Sequence, residues 1–385
     1  MKSLVELFDT LLLDCSRKCD APCRRDMETL SRRVKHEGDS FLTITLPAFC
    51  SDFERSLDEG RLGPIRFRSF AKSNGRPAFL QAFLSKVFDR SGRLLDEPDL
   101  NCIKAIRQIC LFAKKVKRPC SDARLTLAEV KFIECDRQVN NEPSGPLWDT
   151  FSRVCRVVMA PILSMDYYEG LKPRHGPGAT VEGIKGNQKF RHRSWHSRLE
   201  SSFPYTEFGI GSVRDWFEDD TPIPTYLDPE DESPVKVIFV PKTLKAPRVI
   251  AVEPVCMQYA QQAYSKWLVA KVESSRYTAG HVNFTSQLVN QAIAYEASKD
   301  GRYATLDLSE ASDRVSCAMA RAVYDVNPTF RDAVFDCRSL RARLPSGVEI
   351  PLNKFASMGS AMCFPTEALA FYCAIISARL HIASR

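Results

Sequence analysis

Apolar positions recur along this chain with two different spacings. Over residues 1–60 they fall at helical intervals, with Leu4, Phe8 and Leu11 on one stripe among charged neighbours. A turn-rich stretch follows (Gly60, Gly63, Pro64, Asn74, Gly75, Pro77). Two further helical patterns come next, one carrying Phe79, Leu80, Phe83, Leu84 and Val87, the other Ile103, Ile106, Ile109 and Phe112. The second closes on Lys114, Lys115, Lys117 and Arg118 before Pro119, where cations complement a helix C-terminus. That cluster reads as a solvated helix end or as a contact for a nucleic-acid backbone. Between Leu171 and Pro234 the pattern loosens. Beyond it the spacing predicts strands at 235–240 and 248–252 around a turn at 241–247, then helices at about 256–271 and 286–298. A strand at 303–308 with Ala304, Leu306 and Leu308 on its buried face, and a helix from Asp313 to Tyr324 capped by Ser312, complete the middle section. A hairpin, 341–344 with 348–352, and a long helix from Pro365 onward come last.

Composition narrows the class. The 385 residues are 44% hydrophobic and 26% charged, a globular balance that excludes a disordered or collagen-like chain and allows two or three lobes. The net charge of +7 permits an anionic partner without requiring one. Fourteen cysteines are scattered without a repeating Cys-x-x-Cys, and Cys15, Cys19 and Cys23 at i, i+4, i+8 have no fourth ligand nearby; reduced, partly buried thiols are expected. Glu6 and Asp9 interrupt the apolar N-terminus, so no secretory signal is expected. The late apolar run 368–378 is short of the roughly 20 residues a spanning helix needs, so a soluble, intracellular protein is expected.

Four stretches carry candidate chemistry. Lys242, Lys245 and Arg248 sit on a short turn between apolar strands, a charged hairpin tip or a grip for a triphosphate, with Glu253 expected to pair with one of them. Asp307 ends the predicted strand, where a carboxylate is costly unless a cation offsets it, and Asp313 follows at a helix start. Ser357-Met-Gly359-Ser is a small-residue loop that bares backbone amides and leads into a helix bearing Glu367 one turn in. Finally, the loop Arg174-His-Gly-Pro-Gly-Ala-Thr180 feeds a basic, aromatic stretch with Lys185, Lys189, Arg191, Arg193 and Trp195. Interleaved cations and rings there suit phosphates and stacked bases of RNA, or an ordinary wet turn.

Taken together and in order, the basic hairpin, the Asp-x5-Asp segment and the Ser-Met-Gly loop resemble motifs F, A and B of RNA-directed RNA polymerases. VPKTLKAPRVIAVEP, ATLDLSEASDR and SMGSAMCFPTEALAF are similar to the replicase catalytic subunit of the small RNA phages (leviviruses, Qβ type). RHGPGAT, Gln287 with Asn290, FLQAFLSKVFD and AIRQICLFAKK extend the resemblance from about residue 76 to the C-terminus. It implies an α+β right-hand polymerase: an N-terminal and fingers region at 1–234, a fingers ribbon with linking helices at 235–290, and a partial palm at 291–385. It implies Asp307 as the catalytic, metal-binding aspartate of motif A and Asp313 as the acid that recognises the ribose 2′-hydroxyl. Lys242, Lys245 and Arg248 would lie over the incoming triphosphate, with Ser357, Gly359 and Glu367 beside nucleotide and template. The implied activity is RNA-templated RNA synthesis in viral genome replication with Mg²⁺, or Mn²⁺ in its place. The implied partners are RNA, ribonucleoside triphosphates, host elongation factors Tu and Ts and a ribosomal protein. The setting is the cytoplasm of a bacterial host, without a membrane.

The sequence departs from the family in one respect. The motif C hairpin with its Gly-Asp-Asp, and the thumb, are absent; Phe217-Glu218-Asp219-Asp220, the nearest imitation, precedes motif A and reads as a solvated acidic loop. A C-terminally incomplete replicase without activity of its own is therefore expected, the alternative being a non-catalytic RNA-binding remnant. Reverse transcriptase ranks lower, since no aromatic gate lies between Asp307 and Asp313.

Overall fold

A computed structural model describes residues 4–63, 65–73, 75–139, 143–164, 166–210 and 223–383. The acidic stretch 217–220 lies outside these. The chain divides into two compact units, residues 1–128 with 240–248, and residues 129–239 with 249–385.

The first unit is helical: α1 (Leu4–Cys19), α2 (Arg24–Glu37), α3 (Leu46–Asp58), the single turn α4 (Gln81–Leu84) and α5 (Leu100–Leu111), with a two-residue ribbon of β1 (Lys72–Ser73) and β2 (Arg76–Pro77). Its core is built from phenylalanines, with Phe49 edge-on to Phe67, Phe70 and Phe79 and Phe8 edge-on to Phe112. Asp99 caps α5 by accepting from the amides of Asn101 and Cys102. Cys15, Cys19 and Cys23 are buried in this core and unbridged, and burial pushes the Cys15 thiol up to about 11. They pack as small apolar side chains, as expected.

The second unit gathers α7 (Pro146–Leu163), α8 (Val255–Ser274), α10 (Cys317–Tyr324), α11 (Pro328–Asp336) and α12 (Cys363–Ala383) around one core that includes Tyr264, Tyr324 and Phe330. Between α8 and α10 lies α9 (Leu288–Asp300), and α6 (Asp122–Gln138) enters the unit from the first. A four-stranded sheet runs in the order β6 (Arg248–Val252), β5 (Val235–Val240), β7 (Arg341–Arg343), β8 (Glu349–Pro351). β5 is parallel to β7 with Val235 opposite Ala342, and β7 and β8 form the expected hairpin. Phe132 of α6 packs with Val235, Val237, Ala251 and Ala342 beneath the sheet. A separate parallel pair joins β3 (Ser194–His196) to β4 (Thr225–Leu227).

Three expectations are corrected. Residues 301–308 form no strand: every one is exposed, with Leu306 at 87% and Leu308 at 59%, so neither apolar position is buried. None of the strands among the described residues pairs with this segment, and an extended chain without a neighbour leaves its backbone groups to water. The helix predicted from Asp313 begins later. Ser312–Arg314 is a single 3-10 turn, Val315 turns extended to accept from the Phe355 amide at 2.8 Å, and Ser316 caps α10 by accepting from Met319. The last helix is also more apolar than its longest run suggested. Cys363–Ala383 is long and apolar enough by length and composition to cross a membrane, but its Leu369, Ala370, Cys373 and Ser377 are buried within the unit.

Candidate nucleotide-binding site

The three cations of the hairpin tip belong to the first unit. The turn is tied to the start of α6, where Arg124 donates to the Leu244 carbonyl at 2.7 Å and Cys120 Sγ to the Thr243 carbonyl at 3.3 Å. Lys242, Lys245 and Arg248 are all exposed and carry no ion pair among the described residues. Glu253, expected to hold one of them, does something else. It is 4% exposed in the second unit and accepts from Ser339 Oγ at 2.6 Å. Burial pushes its carboxyl up to about 7, against the opposing pull of Ser339, Gln261 and Arg338. An apolar strand end leaves a carboxylate inside unless it is drawn out, and here it is retained by hydrogen bonds.

The small-residue loop is set against strand β6. Ala251 donates to the Met358 carbonyl at 2.8 Å, and Gln261 Oε1 accepts from the Ala361 amide at 3.2 Å. Gly359 has φ +134°, and a Cβ there would lie 1.8 Å from the Ala251 carbonyl oxygen. Only glycine permits this approach. Ser357 Oγ is buried without a partner among the described residues and borders a cavity of about 10 Å³ that Glu253, Gln261 and Ser339 also line. One water fits such a space.

Asp313 and Glu367 come together in the same unit. Glu367, half-buried, has its carboxyl held above the ordinary range first by burial and then by the Asp313 charge. Asp313 is bound by a residue that sequence reasoning missed, Lys354, whose Nζ lies 3.0 Å from Asp313 Oδ1. Lys354 has no exposed surface, and its ammonium sits 3.3 Å from the centre of the Phe132 ring. Buried Asp136 accepts from the backbone amides of Asn353 and Lys354, each at 3.1 Å, and from Asn353 Nδ2. Arg338 donates to the carbonyls of Leu352, Lys354 and Phe355. The available signal was one cation in the otherwise apolar or small-residue run from Leu352 to Met358.

Asp307 stands apart from this network, exposed and without a partner among the described residues. Among those residues no group of three or more His, Cys, Asp or Glu side chains is arranged to hold a metal ion.

The basic, aromatic stretch divides. Lys185, Arg191 and Arg193 are exposed as a backbone contact would need. Lys189 is buried and donates to the carbonyls of Gly176 and Gly178, fastening the Gly-Pro-Gly loop. Trp195 has no exposed surface; it packs on Phe203, Tyr205 and His192 and is not available to stack on a base. Beneath this stretch lie His175, His192 and His196, whose imidazoles burial holds at about 4, 3 and 4.

Known proteins supply the remaining comparison. The profile of the family "RNA replicase, beta-chain" matches residues 230–384. The RNA-directed RNA polymerase subunit beta of Escherichia virus Qbeta is 33% identical over 136 residues, 35% of this chain and 22% of that protein. The corresponding subunit of Enterobacteria phage SP is 32% identical over 206 residues, 52% of this chain and 33% of that protein. The beta chain of Enterobacteria phage fr is 28% identical over 145 residues, 38% of this chain and 25% of that one. The chain therefore spans between about a fifth and a third of the length of these relatives. The matched stretch holds the cationic turn, both aspartates and the Ser-Met-Gly loop, and over residues 230–384 the chain is similar to the RNA replicase beta-chain family and to the RNA-phage polymerase subunits.

Proposed function

We propose that the chain is part of an RNA-directed RNA polymerase that replicates a phage genome inside a bacterial cell. The observation that carries this is the family match over 230–384, the stretch that contains the segments resembling motifs F, A and B. In this reading Lys242, Lys245 and Arg248 bind the triphosphate and disperse charge on the departing pyrophosphate. Asp313 accepts from the ribose 2′-hydroxyl, and the loop at Ser357 and Gly359 with Glu367 borders nucleotide and template. The architecture is then fingers with part of a palm, motifs F, A and B. RNA and ribonucleoside triphosphates are the substrates; elongation factors Tu and Ts and a ribosomal protein are the partners the resemblance implies.

Nucleotidyl transfer in polymerases draws on divalent ions held by several carboxylates, Mg²⁺ taking oxygen ligands in an octahedron. Asp307 is the carboxylate this chain would contribute. Since no metal-binding cluster exists among the described residues, the 385-residue chain is expected to bind ribonucleotides without polymerising them. The test is a pair of measurements on the purified chain. GTP affinity should fall at least tenfold when Lys242, Lys245 and Arg248 are replaced together by Ala, and no product should form on a primed RNA template with Mg²⁺ or Mn²⁺. Unchanged GTP affinity overturns the triphosphate role, and primer extension overturns the expected inactivity.

A non-catalytic RNA-binding role is the second reading, favoured by the lack of a metal-binding cluster together with exposed Lys185, Arg191 and Arg193. Replacing those three with Ala should lower RNA affinity and flatten its salt dependence.

A further inference from the structure

We propose that Lys354 is a positioning residue: its dehydrated ammonium fixes the Asp313 carboxylate so that the carboxylate's second oxygen faces an incoming nucleotide as a ribose-specific acceptor. This rests on the reading of Asp313 above and adds the group that enforces it.

Every part of the pair is held. The Lys354 backbone is fixed at its amide by buried Asp136 and at its carbonyl by partly buried Arg338. Ser316 bridges to Lys354, and Phe355 donates to Val315, so the segment bearing the lysine is bonded to the segment that follows Asp313. On the other side the Asp313 amide donates to Glu310, and Cys135 Sγ lies 3.6 Å from the Asp313 carbonyl. Lys354 has no surface open to solvent. The ammonium's surroundings are one carboxylate oxygen at 3.0 Å and one aromatic face at 3.3 Å. A dehydrated cation cannot release its counterion cheaply, so Asp313 Oδ1 is committed to it. Oδ2 has no hydrogen-bond partner among the described residues, and the side chain retains 20% of its surface. One oxygen is thus locked and the other is presented.

Glu367 places a like charge near the pair: burial first and then the Asp313 charge hold the Glu367 carboxyl above its ordinary range. Without Lys354 that repulsion would turn Asp313 outward, where it would accept from water. The pair therefore selects one orientation of a carboxylate that the local charge would otherwise expel.

A bond from a hydroxyl to a fixed carboxylate is worth about 1.5–3 kcal/mol, or roughly 10- to 100-fold in affinity. Equilibrium dialysis with radiolabelled GTP and 2′-deoxy-GTP reads this directly as an affinity ratio. The parent chain should favour GTP at least tenfold. Lys354→Met should reduce the ratio to near one and leave 2′-deoxy-GTP affinity within twofold, and Lys354→Arg should restore part of it. Phe132→Leu keeps both charges and removes only the aromatic face, so it tests the clamp even if Lys354→Met fails to fold; it should lower the ratio two- to threefold. A ratio unchanged in Lys354→Met or in Phe132→Leu overturns the proposal. A parent chain that does not discriminate, or an Asp313→Asn variant that still does, overturns the reading of Asp313 itself. Loss in Asp313→Asn with retention in Lys354→Met overturns the role of Lys354 alone.

Discussion

Replacing His192 by Phe changes how stability depends on pH in a way the structure fixes quantitatively. His192 is 3% exposed, and both of its ring nitrogens are buried without partners among the described residues. Its ring packs 5.0 Å from Trp195, 4.9 Å from Tyr259 and 5.6 Å from His175, so a phenyl group of similar size fits the same space. Burial, with a smaller push from His175, holds the folded pKa at about 3, against an ordinary 6.5. The sign follows from linkage. Because the folded value is depressed, the unfolded chain binds one more proton between these limits, so stability is full above pH 6.5 and is lost as pH falls towards 3. One proton corresponds to about 1.4 kcal/mol per pH unit, or roughly 2–3 kcal/mol between pH 6.5 and 4.5. Glu253 and Asp26, raised to about 7 and 6, act in the opposite sense over overlapping ranges, so the parent's own pH profile is a mixture. The difference between His192→Phe and parent isolates one imidazole. Urea unfolding followed by tryptophan fluorescence at pH 6.5, 5.5 and 4.5 measures it, every tryptophan lying between residues 148 and 267. The variant should gain on the parent steadily as pH falls. A difference that does not change with pH would show that the imidazole titrates freely in the fold, and the argument from burial would fail.

Gly359→Ala should lower unfolding stability by more than about 2 kcal/mol in the same urea assay, since it combines a left-handed φ with a Cβ placed 1.8 Å from the Ala251 oxygen. Glu253→Gln should lose less stability than the parent as pH rises from 4.5 to 8. A raised carboxyl gives stability that is complete below its unfolded pKa and declines as pH passes through the folded value near 7, a difference of roughly 2–3 kcal/mol. Amides of α9 and of residues 301–308 should exchange with deuterium near the unprotected rate, because neither segment buries a single residue, while those of α8 should be protected. Protection of 301–308 equal to that of α8 would refute the irregular, solvated description.

Elements whose partners lie within a few turns of the chain were the most legible. The hairpin of β7 and β8 could be located because Pro345-Ser346-Gly347 supplies both the turn and its own register. The strands around the cationic turn, and the helices α5, α8 and α12, were evident from periodicity and punctuation. Chemistry carried by distant pairs was hidden. Nothing near Asp313 in sequence announces Lys354, 41 residues on, or the grip of Asp136, more than two hundred residues before the segment it holds. Trp195 and Lys189 show the converse. A ring or cation looks like a ligand for RNA in the sequence, yet the fold uses one as core and the other as a cap for two carbonyls. Composition cannot separate these uses, because both need the same side chains.

Residues 303–308 mark the limit of periodicity itself. Alternation records which face a segment would bury, and Ala304, Leu306 and Leu308 do share one. Whether the strand forms depends on what it meets. Fixing six residues in an extended conformation costs roughly 1–2 kcal/mol each, and burying two leucines returns about 1.5–3 kcal/mol apiece. Apolar burial alone therefore cannot order the segment; ladder hydrogen bonds to a neighbouring strand must contribute. Helix α9, immediately before it, likewise has no buried residue. Asp307 consequently occupies an irregular, solvated stretch, while Asp313, six residues later, is locked by a buried cation. Of the two aspartates, the fold fixes Asp313 in place and leaves Asp307 to solvent.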